Sequence, residues 1–269
     1  EAARLRREAN PAPEPLSARH GPCCPICRED WDANKKDVLR ICCCRKICMS
    51  CANHIGFEPC PLCRTPMSET GAEDLALIRR HVENEVPEAI SLLGDCYRDG
   101  DEDFGIPKSE RKAAKIYRRA VELGNADAML KLGSLCWSGG EGVKVDRKKT
   151  ISLWRMAGER GHCDAHFNLG NFFRDRGHMK EAVYHYRLAA DAGLTLAEHN
   201  LGIRYLEGEG VEQDFEEAER WFTKAAAKGD KYAIEVLDTL PVRRAAAKGT
   251  SAFQRALRRS VEEANDAVA

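Results

Sequence analysis

Ten of the thirteen cysteines in this 269-residue chain fall between Cys23 and Cys63. They run Cys23-Cys24-Pro25-Ile26-Cys27, then Cys42-Cys43-Cys44, then Cys48-Met49-Ser50-Cys51, then Cys60-Pro61-Leu62-Cys63. A stretch this short and polar cannot bury enough apolar surface to fold alone, so a stronger cross-link has to hold it. Metal and disulfides are the two candidates. The spacing selects metal, because three C-x-x-C pairs place thiolates at tight knuckles where two can reach one tetrahedral zinc at about 2.3 Å. Disulfides are the weaker reading: the chain shows no secretory apolar segment, and Cys96, Cys136 and Cys163 stand singly in helical patterns. That is the usage of a reducing compartment, cytoplasmic or nuclear. Zinc sites of this kind supply on the order of 10 kcal/mol each, enough to define a fold.

In order, the candidate ligands are Cys24, Cys27, Cys42 with Cys43 or Cys44, Cys48, Cys51, Cys60 and Cys63. Eight ligands imply two zinc ions. The long gap from Cys27 to Cys42 and the short gaps around Cys48 resemble the RING finger. That resemblance implies interleaved pairs, with Cys24, Cys27, Cys48 and Cys51 on one zinc and Cys42, its neighbour, Cys60 and Cys63 on the other. Most RING fingers carry a histidine as fourth ligand; here the triple cysteine run stands in its place, as in all-cysteine variants. Cys42-x-Cys44 matches the usual one-residue gap, whereas Cys43, with four residues between it and Cys48, matches the all-cysteine variants and is preferred. Cys23 reads as a surplus thiol beside a ligand, and His54 stands on the wrong side of Cys51 to be one.

Three residues that are not ligands extend the resemblance to ubiquitin ligases: Ile26 inside the first knuckle, Pro61 after the seventh ligand and Arg64 directly after the eighth. By that resemblance Ile26 and Pro61 contact the ubiquitin-conjugating enzyme, with Trp31, Ile55 and Phe57 as further candidates for its groove. Arg64, with five fixed donors, would hydrogen-bond enzyme and thioester-linked ubiquitin at once and hold a flexible tail in a reactive pose. A PHD finger is disfavoured, since Glu58 stands where its tryptophan belongs.

The remainder is organised by a repeat. Leu-Gly recurs at Leu93-Gly94, Leu132-Gly133, Leu169-Gly170 and Leu201-Gly202, each five residues after an alanine: Ala89, Ala128, Ala165 and Ala197. A second glycine closes each unit, at Gly124, Gly161, Gly193 and Gly229. Four residues before it stand Ala120, Ala157, Ala189 and Ala225, and seven before it Tyr117, Trp154, Tyr186 and Phe222. Each unit fits a helical hairpin, with small residues where helices touch, an aromatic wedged between hairpins and a closing glycine in the left-handed conformation that ends a helix. The loops Gly140-Glu141-Gly142-Val143 and Gly208-Glu209-Gly210-Val211 make these units resemble Sel-one-like repeats, relatives of the tetratricopeptide repeat. The third unit departs, with only Asp175-Arg176-Gly177 between its helices. A further helix begins at Tyr232-Ala233 before Pro241 interrupts it.

The expected fold is mainly α. A disordered basic, proline-rich arm at 1–22 precedes a small cross-braced two-zinc RING at 23–66. A connecting helix at 67–86 follows, marked by Leu75, Ile78 and Val82 at helical spacing. Then come an α-solenoid of helical hairpins at 87–240 and a capping helix at 241–269. The net charge of −1 argues against a nucleic-acid partner, and no apolar run is long enough to cross a membrane. The chain opens at Glu1, so the lack of a targeting signal carries little weight. His162, His166, His178, His185 and His199 come with no H-E-x-x-H and read as surface or packing residues. No phosphate-binding glycine loop or nucleophile elbow is present. The two resemblances together imply a RING-type ubiquitin-protein ligase with no covalent catalytic residue. Its RING recruits the conjugating enzyme with ubiquitin, and its repeats hold an unidentified protein substrate. The alternative is a non-enzymatic, zinc-containing scaffold.

Elemental analysis is expected to return about two zinc atoms per chain, with chelation unfolding residues 23–64 and leaving the repeats helical. One zinc, or none with oxidised thiols, contradicts the cross-braced assignment.

Overall fold

The computed structural model describes residues 37–40, 45–48 and 70–266. Strands β1 (Asp37–Arg40) and β2 (Arg45–Cys48) pair antiparallel, from Asp37 opposite Cys48 to Arg40 opposite Arg45. Ten helices follow, and the chain divides into two compact units, 1–169 and 170–269.

In the first unit, α1 (Gly71–Glu83) starts at Thr70, whose side chain accepts from the Glu73 N–H at 3.3 Å. Leu75 and Ile78 are buried, and Leu75 packs with Cys96 and Ile106. Helices α2 (Pro87–Asp99) and α3 (Glu110–Glu122) form the first hairpin, and α4 (Ala126–Ser138) and α5 (Arg147–Glu159) the second. Helix α6 (Cys163–Arg174) carries the boundary between the units. The second unit continues with α7 (Met179–Asp191), α8 (Thr195–Glu207), α9 (Phe215–Ala227) and α10 (Lys231–Asp266). The connection from α6 to α7 is the short turn at 175–178.

Both alanine columns are fully buried. They are core because only a methyl group leaves room for two helices to approach. The aromatic column is buried with them, but its place differs from the one expected between hairpins. Each ring lies on the glycine of its own hairpin. A Cβ built on Gly94 would stand 2.5 Å from the Tyr117 ring, on Gly133 2.7 Å from Trp154, on Gly170 2.6 Å from Tyr186 and on Gly202 3.0 Å from Phe222. The bare backbone makes the slot that the ring fills.

The closing glycines Gly124, Gly161, Gly193 and Gly229 have φ between 81° and 90°. There the next residue's N–H turns back to the alanine carbonyl: Asn125 to Ala120, His162 to Ala157, Leu194 to Ala189 and Asp230 to Ala225, at 3.0–3.1 Å. This bond satisfies a carbonyl orphaned at the helix end and sets the entry of the next helix. Asp146 and Asp214, which follow the glycine loops, cap α5 and α9 by accepting from Lys149 N–H and from Glu216 and Glu217 N–H.

Pro241 does not interrupt the last helix, contrary to the sequence expectation; α10 runs through it without a separate capping helix. Proline removes one N–H donor, at a cost of about 3 kcal/mol, and the alanine- and arginine-rich stretch after it is strongly helix-forming. The packing does change there: Ala233, Val236 and Leu240 are buried, whereas Val242 is 72% exposed.

Replacing a mid-helix glycine by alanine gains about 1 kcal/mol of helix propensity. Overpacking a fully buried ring costs about 1–3 kcal/mol. Gly94→Ala and Gly170→Ala should therefore destabilise the chain in urea titrations followed by far-UV circular dichroism. Gly249→Ala, whose Cβ meets nothing within 4 Å, should be neutral or stabilising.

Candidate protein-binding surface

The first helices of the first two repeats, α2 and α4, meet through polar side chains at helical spacing. Ser91, Asp95 and Arg98 share one face of α2, and Asp127 and Lys131 lie one turn apart on α4. Lys131 Nζ lies 2.6 Å from Asp95 Oδ2 and 2.5 Å from Asp127 Oδ2. Ser91 Oγ donates to Asp127 at 2.9 Å, and Tyr117 Oη donates to Asp95 Oδ1 at 2.6 Å. Arg98 pairs with Asp95 at 3.3 Å and with Asp99 at 2.6 Å. Beneath this group Asn125 caps α4, accepting from Ala128 N–H at 2.7 Å.

The electrostatics are those of a closed network. Burial alone would push the Lys131 ammonium down, but Asp127 and Asp95 together hold it above the ordinary lysine range. Burial first, and then the bond to Asp95, hold the Tyr117 phenol far above its usual range. The thiols are equally quiet: burial, with Asp101 and Asp95, pushes Cys96 up to about 11, and burial raises Cys136 and Cys163. Such groups fix the register of neighbouring helices. They offer neither a nucleophile nor a free base.

The second unit carries related contacts. Tyr186 Oη donates to Asn171 Oδ1 at 2.7 Å, and Arg204 pairs with Glu209 and, at 3.6 Å, with Glu207. Lys228 joins buried Glu198 at 2.9 Å and donates to the Gly193 carbonyl at 2.7 Å. His199 meets Asp230 at 3.1 Å and lies against Tyr232.

The sequence singled out none of Asp95, Lys131, Asp127 and Asn171, yet it held a signal for them. The residue after each Leu-Gly pair is Asp95, Ser134, Asn171 or Ile203, and the aromatic of the same unit is Tyr117, Trp154, Tyr186 or Phe222. Where the ring has a hydroxyl, an Asp or Asn side-chain oxygen accepts from it.

The histidines are packing residues. The His166 ring lies against Gly158, with its pKa lowered by burial. His185 stacks on Phe173 with centroids 5.4 Å apart, and His178 meets the same ring edge-on. Among the described residues, His162, Cys163 and Asp164 bring three metal-ligand atoms within 4.8 Å of one another. Burial, with Asp164 beside it, raises the Cys163 thiol.

Of the eight cysteines expected to hold zinc, Cys48 lies at the end of β2, paired with Asp37 in the backbone register. Cys24, Cys27, Cys42, Cys43, Cys51, Cys60 and Cys63, and also Ile26, Pro61 and Arg64, lie outside the described residues. Among the described residues no helix is long and apolar enough to cross a membrane.

Lys131→Met leaves two carboxylates facing each other without their cation and should cost about 1–3 kcal/mol. Because the folded-state pKa of Lys131 is raised, its contribution is complete below about pH 10 and is lost as pH climbs through the folded value. Urea titrations of both proteins from about pH 7 to about pH 11 should show the stability gap closing only at the alkaline end.

The Sel1 repeat model matches residues 87–125, 126–162, 163–194 and 195–230, more than half of the chain. Among solved structures, a Sel1 repeat protein from Oxalobacter formigenes is 28% identical with a TM-score of 0.58, over 64% of this chain and 70% of that one. A protective antigen present in uropathogenic Escherichia coli strains, displaying an SLR fold, is 31% identical with a TM-score of 0.57. That match covers 64% of this chain and 37% of the antigen. No curated protein matches the chain. With four matched repeats, each a helical hairpin closed by an aromatic on a glycine, the chain belongs to the Sel1-repeat family.

Proposed function

We propose that this chain is a protein-interaction scaffold whose Sel1 repeats hold a partner protein. The observation that carries the reading is the commitment of side chains on the repeats. Their aromatic and alanine columns are spent on the core with Cys96 and Cys136, and the polar cluster of α2 and α4 pairs acids with bases. What the hairpins present outward is a charged surface on a rigid frame, suited to recognition and lacking the poised groups of a catalyst.

A second reading adds ubiquitin transfer to that scaffold, and one observation favours it. The β1–β2 pairing folds the chain back so that residues 41–44, with the triple cysteine run, connect strands ending and beginning at Arg40 and Arg45, while Cys48 closes the second strand. Of the expected ligands, Cys48 thus lies at the end of a paired strand. Eight thiolates suit two tetrahedral zinc ions, and by the RING resemblance Ile26, Pro61 and Arg64 would engage a conjugating enzyme.

Capture experiments with the full chain should retain a partner stoichiometrically and lose it when exposed charges on the repeats are reversed without loss of helicity. Equal retention by a scrambled-surface control sinks the scaffold reading. Discharge of ubiquitin from a preloaded conjugating enzyme onto free lysine tests the second reading. Arg64→Ala should slow discharge sharply with zinc content and enzyme binding intact, whereas Ile26→Ala should weaken binding itself. No acceleration by wild type with any conjugating enzyme leaves the scaffold alone.

A further inference from the structure

Helix α3 spaces Arg111, Lys115 and Arg118 along one exposed face. The loop leaving α4 folds onto the start of that face. The Glu110 carboxylate accepts from Glu141 N–H at 2.7 Å, and a Cβ on Gly142 would stand 3.1 Å from Arg111 Cβ. The chain then presents Lys144, Lys148 and Lys149, also exposed.

Among the described residues none of these six cations is ion-paired. Arg147, between them in sequence, is already engaged: its guanidinium lies 3.5 Å above the Trp137 ring. Asp146 is engaged too, capping α5 through Lys149 N–H at 2.9 Å. Val145, between Lys144 and Lys148 in the chain, is 54% exposed.

The fold gains nothing from this arrangement. Like charges three and four residues apart on α3 repel one another, and Lys148 and Lys149 oppose the dipole at the start of α5. An external anion would relieve both. A phosphodiester backbone has no use for an exposed valine flanked by lysines, but a peptide that mixes carboxylates with an apolar residue does.

We propose that the strip formed by α3 and the loop into α5 docks an acidic segment of a partner protein, its carboxylates on the six cations and an apolar residue on Val145. The proposal rests on the scaffold reading and names the class of partner.

Fluorescence anisotropy with the full chain tests it, using three probes of equal charge. The first is a synthetic peptide alternating Asp or Glu with Leu, the second replaces Leu by Ser, and the third is a single-stranded oligonucleotide. The Leu peptide should bind most tightly and weaken with added salt. Arg118→Glu with Lys148→Glu should weaken it by about tenfold or more. Val145→Ser should weaken the Leu peptide about three- to fivefold and leave the Ser peptide unchanged. Thermal melts control for folding, and Lys148→Glu should not lower the melting temperature, since a carboxylate suits the first turn of a helix. Tighter binding of the oligonucleotide, indifferent to Val145→Ser, overturns the proposal in favour of a nucleic-acid site. Unchanged peptide affinity in the double variant also overturns it. The peptides need no cellular partner, so their failure to bind defeats this proposal while the scaffold reading keeps its own capture test.

Discussion

Each repeat hairpin depends on an aromatic ring lying against a helix at a position without a side chain. At Gly94, Gly133, Gly170 and Gly202 even a methyl group would stand within 3.0 Å of ring atoms, so ring and glycine specify each other. The alanine columns follow from the same constraint, because helices close enough to place a ring on backbone leave space only for methyl groups where they touch. The alanine carbonyls then accept the bond that turns the chain around each closing glycine. Packing within a hairpin and passage to the next one are thus consequences of one close approach.

A ring seated on backbone brings its para position to the next residue along. Where the ring is tyrosine, its hydroxyl meets Asp95 or Asn171 and a buried donor is satisfied. In the repeats that carry Trp154 and Phe222 the corresponding residues are Ser134 and Ile203, and among the described residues the indole N–H of Trp154 has no hydrogen-bond partner. In the first repeat Asp95 is drawn further into charge pairing with Lys131. There the aromatic contact of one hairpin becomes coupled to the polar register between α2 and α4.

These commitments sort the molecule's charges into two kinds. On α2 and α4 acids and bases are matched, hydrogen-bonded and partly buried, a pattern that contributes order more than it invites ligands. On α3 and the loop into α5, cations accumulate without partners around an exposed valine. The first kind answers a requirement of folding. The second answers none, which is why recognition is assigned there.

The repeat architecture was legible in the sequence, because Leu-Gly, alanine, aromatic and closing-glycine positions are each fixed by a steric demand that few residue types meet. The short third connection, 175–178, could be read for the same reason. The cysteine order from Cys24 to Cys63 carries the whole case for zinc and for a RING, since ligand spacing is a local property; among those residues the described structure adds the β-hairpin register at Cys48. Tertiary structure decided what depends on distance between segments remote in sequence. It placed each ring on its own glycine, joined Lys131 to Asp95 across 36 residues, carried α10 through Pro241, and folded the loop after α4 onto Glu110 and Arg111. Charge pairing of that kind has no periodic signature, because an exposed and a partnered lysine occupy the same helical spacing and differ only in what the fold brings alongside.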